Sequence, residues 1–160
     1  MKISIWSGTL ALSIIAASAN LALAGTALNP HMATHTFLLW FLVIGIGVTG
    51  IIAFSGHFFN ADEIAEKIGW PKGNPFQREI AFTNLGIGIA GVLCFLFRDG
   101  FWLAVIVMYS VFSIGAGIGH IYEQKKNENV AEYNTGAVVA FDLFMPVVLI
   151  ALWILMKVTG

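Results

Sequence analysis

Two histidines and two carboxylates stand in or at the edges of stretches that otherwise carry no charge. Gly56-His57 closes one apolar run and Gly119-His120 closes another; Glu79 follows the first histidine by 22 residues and Asp142 follows the second by 22. Ionisable groups in apolar helices are costly, so those that persist tend to face a bundle interior and do chemistry. Two imidazoles and two carboxylates form a mixed nitrogen and oxygen ligand set for a divalent metal such as Zn, Mn or Fe. Asn84 and Asn134 could hydrogen-bond such ligands from behind. The same groups also suit a proton-linked site, because an imidazole beside a carboxylate titrates near neutral pH. A bis-histidine haem has less support, since both histidines lie at helix ends and no local motif accompanies them. The plainer alternative is that each histidine caps the negative end of its own helix dipole and that neighbours satisfy the acids. No HExxH and no ExxH pair sharpens the metal reading. Asp142 has one further feature: Pro146, four residues on, lacks the N–H that would bind the Asp142 carbonyl, which places an acid and a freed carbonyl together. His31 and His35 offer a second, weaker histidine pair of a type that suits copper, or else a plain interfacial loop.

These residues must be positioned by helices. The chain has 160 residues with eight Lys and Arg against nine Asp and Glu, a net charge of −1, and a charged share of 11%, less than half the ~25% of a soluble domain. No basic surface exists for nucleic acid. Uncharged runs of bilayer-spanning length, near the ~18 to 20 residues required, predict an all-α integral membrane bundle of four or five transmembrane helices. They cover roughly residues 3–25, 36–59, 75–97, 101–123 and 135–158. Residues 1–25 read as a first transmembrane helix or a signal peptide, because Met1-Lys2, an apolar stretch and Ala22-Leu23-Ala24 fit both. The run exceeds the ~7 to 15 residues of a signal core, which favours the helix. Residues 26–160 then form a four-helix membrane domain with a cytoplasmic loop at 60–74. The equal spacing of histidine and acid admits a weak internal two-helix repeat at an offset of 63.

Lys2, Lys67, Lys72, Arg78, Lys125 and Lys126 fall on one side of the predicted membrane and Arg98 and Lys157 on the other. The positive-inside rule therefore places the N-terminus and the loops after the second and fourth helices in the cytoplasm of an inner-membrane protein, with the C-terminus outside. Trp40, Trp102 and Trp153 mark the outer boundary, and Trp6, Trp70, Tyr122 and Tyr133 the inner one, as interfacial anchors. In the loop, Asn60 and Glu63 have the spacing of a capping box, Gly69-Trp70-Pro71 ends a short amphipathic helix, and Asn74-Pro75 starts the next one. The stretch from Gln124 to Asn134 reads as solvated and mobile. Gly115 with Gly119, Gly86 with Ala90 and Gly45 with Thr49 are small-residue pairs that let helices approach closely, within the chain or in a homo-oligomer. Glu79, Thr83, Gly86 and Ala90 recur at helical spacing and predict one inward stripe. Cys94, the single cysteine, is a packing residue.

The segment Gly69-Trp70-Pro71-Lys72-Gly73-Asn74-Pro75-Phe76-Gln77-Arg78-Glu79 resembles the loop of an uncharacterised family of small prokaryotic multi-helix membrane proteins. The resemblance covers His57 to Pro146, with Asn74 where the family usually has Ser, a change that keeps N-cap chemistry. It implies no activity or cofactor. It does single out His57, Trp70, Pro75, Phe76, Gln77, Glu79, Asn84, His120 and Asp142. Two functional classes result: a binding or ion-linked membrane protein using the histidine and carboxylate cluster, or a structural or accessory subunit that packs through its glycine seams against a membrane-complex partner. No nucleophile paired with a base is visible, so catalysis ranks behind both.

Overall fold

The computed structural model describes residues 4–160, which are helical with no strand among them. Helix α1 spans Ile5–Ala24, α2 Pro30–Phe59, α3 Ala61–Ile68, α4 Phe76–Leu93, α5 Gly100–Asn127 and α6 Ala137–Thr159. Lys2 lies outside the described residues. Local sequence accounts for the starts and stops. The Ser4 hydroxyl accepts the Ser7 N–H at 3.2 Å, and Gly25 closes α1 in the left-handed region. Asn29 Oδ1 accepts the Met32 N–H at 3.0 Å with Pro30 in the first turn of α2. Inside α2 the segment Phe41–Val48 widens to a π-helix, a form that rarely extends beyond one turn.

Four helices, α1, α2, α5 and α6, are long and apolar enough to cross a membrane. Helix α4 has 18 residues, about 27 Å at the α-helical rise, and carries Arg78 and Glu79 in its first turn. The core is formed by Leu38, Leu42, Ile46, Trp102, Ile106, Met145 and Leu149, while Ile15, Val111, Val147 and Val158 point outward. That combination of a packed apolar interior and an apolar exterior is the surface a lipid phase accepts and water does not.

The tightest seam joins α2 to α4. A Cβ built on Gly91 would stand 2.7 Å from the Gly47 nitrogen, one on Gly50 2.8 Å from the Asn84 carbonyl oxygen, and one on Gly88 2.8 Å from the Ile51 nitrogen. Only glycine permits backbones this close. The expected pair Gly45 and Thr49 also packs: Gly45 faces Ser13 and Met145, and the Thr49 hydroxyl donates to Thr9 Oγ1 at 2.8 Å, which ties α1 to α2. At the other two expected pairs Gly86, Gly115 and Gly119 have no neighbour within 4 Å of where a Cβ would stand, and only Ala90 packs against the core. Glu79, Thr83 and Gly86 are exposed, so the inward stripe is corrected to an outward one. The glycine face of α4 took the contact, and an acid at the helix start reaches solvent without being buried.

Two further expectations are revised. Trp102 is a core residue 1% exposed, donating its indole N–H to the Cys94 carbonyl at 2.9 Å, and is no boundary anchor. Asn60 makes no capping bond to α3; Asp62 instead accepts the Gly73 N–H at 2.9 Å, closing the loop on itself. Asn74 caps as expected, accepting the Phe76 N–H at 3.0 Å.

Candidate functional site

Between the loops that follow α2 and α5 and the middle of the bundle lies a cavity of about 850 Å³. His57 enters from α2, Asn84 from α4, His120 from α5, Asp142 from α6, and Trp70 and Asn134 from the two loops. Six of the residues singled out from sequence therefore meet in one place. Gln77 stands behind His57, and Glu79 is exposed outside the cavity.

Each histidine is held by an amide. His120 Nδ1 donates to Asn134 Oδ1 at 2.6 Å, while Asn134 Nδ2 donates to the Asn129 carbonyl at 2.8 Å. The second bond fixes which way the Asn134 amide faces, so its oxygen must accept and the proton of His120 must sit on Nδ1. Gln124 Nε2 completes the anchor by donating to the Asn134 carbonyl at 2.7 Å. His57 Nδ1 donates to Oε1 of Gln77, a side chain only 2% exposed, at 2.5 Å. Both rings thus commit Nδ1 to the protein and keep Nε2 available. His120 Nε2 lies 3.8 Å from Asp142 Oδ2, a distance for a charge pair or an intervening water and too long for a direct hydrogen bond.

The freed carbonyl predicted from Pro146 is present and satisfied. The Ser113 hydroxyl reaches the Asp142 carbonyl at 3.0 Å and Asp142 Oδ1 at 3.2 Å, so one group on α5 serves both acceptors on α6. Ser113 was not singled out from sequence; a lone serine in an apolar helix has no local signature, and only its neighbour across the helix pair assigns its role. Asn84 donates to the Ile80 carbonyl at 2.9 Å, which leaves its Oδ1 as an acceptor.

The four-ligand metal set does not assemble. Among the described residues no three His, Cys, Asp or Glu side chains are grouped to hold one ion. Of His57, Glu79, His120 and Asp142, only His120 and Asp142 face each other, since Gln77 holds His57 and Glu79 sits outside. The proposed equivalence of two halves also weakens here: the histidines share their amide partnership, but one acid is outside and the other inside. The stretch from Gln124 to Asn134, expected to be mobile, is tied down. Asn129 Nδ2 donates to the Ile68 carbonyl at 2.9 Å, and the Tyr133 N–H to the Lys67 carbonyl at 2.7 Å. Gly69, at φ +83°, permits the approach, since its Cβ would meet the Asn129 amide.

A family model matches residues 4–160, nearly the whole chain. The chain belongs to a family of unknown function, DUF6790. No curated protein and no solved structure matches it. Family membership thus supplies no chemistry, and the cavity alone has to.

Trp6, Trp70, Tyr122 and Tyr133, expected to be boundary anchors, also line the cavity, with Trp6 and Tyr133 edge to face at 5.3 Å between centroids. His31 and His35 sit apart, in a pocket of about 180 Å³ at the opposite end. There His31 Nδ1 donates to the Met156 carbonyl at 3.1 Å and His35 packs on Trp102 at 4.9 Å.

Proposed function

We propose that this chain is a multi-pass protein of a prokaryotic cytoplasmic membrane that binds a ligand in this mainly apolar cavity and links its occupancy to a proton at His120 and Asp142. The observation that carries the reading is the convergence of two histidines with free Nε2 atoms, one carboxylate and one free amide oxygen on a single cavity of about 850 Å³. Such a volume is within the range of small-molecule sites. The fixed tautomer of His120 supports the proton link: its Nδ1 proton is spoken for, so any proton gained or lost is exchanged at Nε2, facing Asp142. The lipid bilayer is the surrounding partner. Positive residues in the inner loops support an N-terminus in the cytoplasm and a C-terminus outside, and the Thr9 to Thr49 bond supports α1 as a permanent member of the bundle.

The test is ligand retention by the full chain in lipid nanodiscs, read by native mass spectrometry and by saturable binding of a membrane-soluble dye. Wild type should bind one equivalent, Ala116→Trp should fill the cavity and abolish binding, and Asp142→Asn should remove the pH dependence. Equal uptake by wild type and Ala116→Trp overturns the reading. The second reading, an accessory subunit or homo-oligomer, draws on Gly115 and Gly119, whose outer face carries no neighbour. Cross-linking from position 115 to another chain would favour it.

A further inference from the structure

The lining of the cavity has a charge bias. Asp142 and Glu123 contribute carboxylates, and among the described lining residues there is no Lys or Arg. The other titratable groups facing it are His57 from α2, His120 and Tyr122 from α5 and Tyr133 from the loop; α1, α3 and α4 contribute none. Trp6, Trp70 and Phe112 add aromatic rings; Tyr122 and Tyr133 also line the cavity, but each ring is already faced by a lysine, Lys126 at 5.0 Å and Lys67 at 5.4 Å from the centroid. An aromatic face attracts a cation through its quadrupole, and a carboxylate faced only by the imidazole of His120 at 3.8 Å, with no fixed cation in the lining, leaves negative potential in a medium of low dielectric. Among the lining residues an anionic head group would meet two carboxylates and no Lys or Arg, since Lys67 and Lys126 approach Tyr133 and Tyr122 without lining the cavity.

The cavity also has a side door. Val111 is 71% exposed and Ile52 40% exposed, and both line the cavity, as do the exposed glycines Gly115 and Gly119. The gap between α2 and α5 therefore opens outward through apolar and side-chain-free positions, toward the surface that meets lipid acyl chains in a bilayer. A molecule entering there arrives from the lipid phase and must be lipophilic.

We propose that the ligand is a lipophilic cation, an amine or onium compound with an apolar body, whose charge sits against Asp142 and the aromatic rings of Trp6 and Trp70. The inference rests on the ligand-binding reading above and narrows its ligand class. A bound cation and a proton on His120 or Asp142 place positive charge in the same enclosure, so each disfavours the other, and occupancy falls as the pair gains protons.

The experiment uses two probes of matched shape and opposite charge, tetraphenylphosphonium and tetraphenylborate, with a neutral quinone as third ligand, titrated calorimetrically into the full chain in nanodiscs against empty nanodiscs. The expected result is saturable phosphonium binding, at least tenfold weaker in Asp142→Asn and weaker again in Trp70→Leu, with no saturable borate binding. Trp70→Phe should restore most of the loss seen in Trp70→Leu, which separates ring attraction from a folding defect. Equal binding of both ions, or phosphonium binding unchanged in Asp142→Asn, overturns the cation assignment. Saturable quinone binding without phosphonium binding also overturns it while leaving the cavity reading standing. Failure of all three probes removes both.

Discussion

The glycine seam between α2 and α4 gives a prediction whose sign differs between two glycines of the same helix. At Gly91 a new methyl would lie 2.7 Å from the Gly47 nitrogen and 2.8 Å from both Gly47 Cα and the Leu42 carbonyl oxygen. These are backbone atoms and cannot swing aside. Ordinary carbon contacts begin near 3.4 Å, so the helices must part by about 0.7 Å along the seam. A gap of ~0.5 to 1 Å forfeits about a quarter to a half of each dispersion contact it touches, and overpacking of this kind costs about 1–3 kcal/mol. At Gly86, one face round on the same helix, a methyl meets nothing within 4 Å, and replacing glycine in a helix by alanine gains up to ~1 kcal/mol. Gly91→Ala should therefore unfold more easily than wild type, and Gly86→Ala no more easily, with a gap of about 2 kcal/mol between the variants. Reversible unfolding in mixed micelles, followed by circular dichroism against mole fraction of denaturing detergent, measures this directly. If Gly91→Ala is as stable as Gly86→Ala, the seam is not where the helices meet and the placement of Gln77 behind His57 loses its support.

Other expectations follow from single contacts. Thr49→Val removes the donor to Thr9 between α1 and α2 and should cost about 0.5–1.5 kcal/mol in the same assay, whereas Thr34→Val, whose hydroxyl bonds only within its own helix, should cost less. His57→Ala and Gln77→Leu should be strongly non-additive, with a coupling of about 0.5–3 kcal/mol in a double-mutant cycle; additive effects would mean that the two side chains do not hold each other. Single cysteines at Lys72 and Lys126 should react with an impermeant thiol reagent from the cytoplasmic side alone, and one at Asp99 from the outer side alone. The ion pair of Lys67 with Glu63, 2.6 Å apart on α3, holds the Glu63 carboxyl below its ordinary range and the Lys67 ammonium above its own. Its contribution is present at neutral pH. It is lost as acid protonates Glu63 or as alkali deprotonates Lys67. Because both groups are solvent-exposed, Glu63→Gln should lower the unfolding midpoint only slightly at pH 7.

Much of the architecture was legible because its signals are long. Charge-free runs of spanning length announce helices regardless of how they pack, and Pro146 removes one known hydrogen bond at one known carbonyl. What was misread depends on azimuth. Helix α4 carries small residues on two faces, Gly86 with Ala90 and Gly88 with Gly91, and its sequence alone does not say which face meets α2. Following the acid led to the wrong one, because Glu79 sits in the first turn, where a carboxylate reaches water without entering the bundle. Gln77, singled out by the family resemblance alone, is the partner of His57, and an amide gives no local sign that it anchors an imidazole 20 residues earlier. His57, His120, Asp142, Asn84, Asn134 and Trp70 did come together, as polar groups in an apolar bundle have few other places to go.

The widened stretch of α2 acts as a phase setter. Residues Phe41–Val48 wind more slowly than an α-helix, so they fix the angle between the face that carries Leu38 and Leu42 and the face that carries Gly47, Gly50 and His57. Deleting one residue there with the wide winding kept would rotate everything downstream by most of the ~100° that one α-helical residue spans about the helix axis, turning His57 away from the cavity and the glycines away from α4 without touching any residue of the site. Within this segment the residue count is therefore a functional quantity, held more tightly than the identity of most side chains it contains.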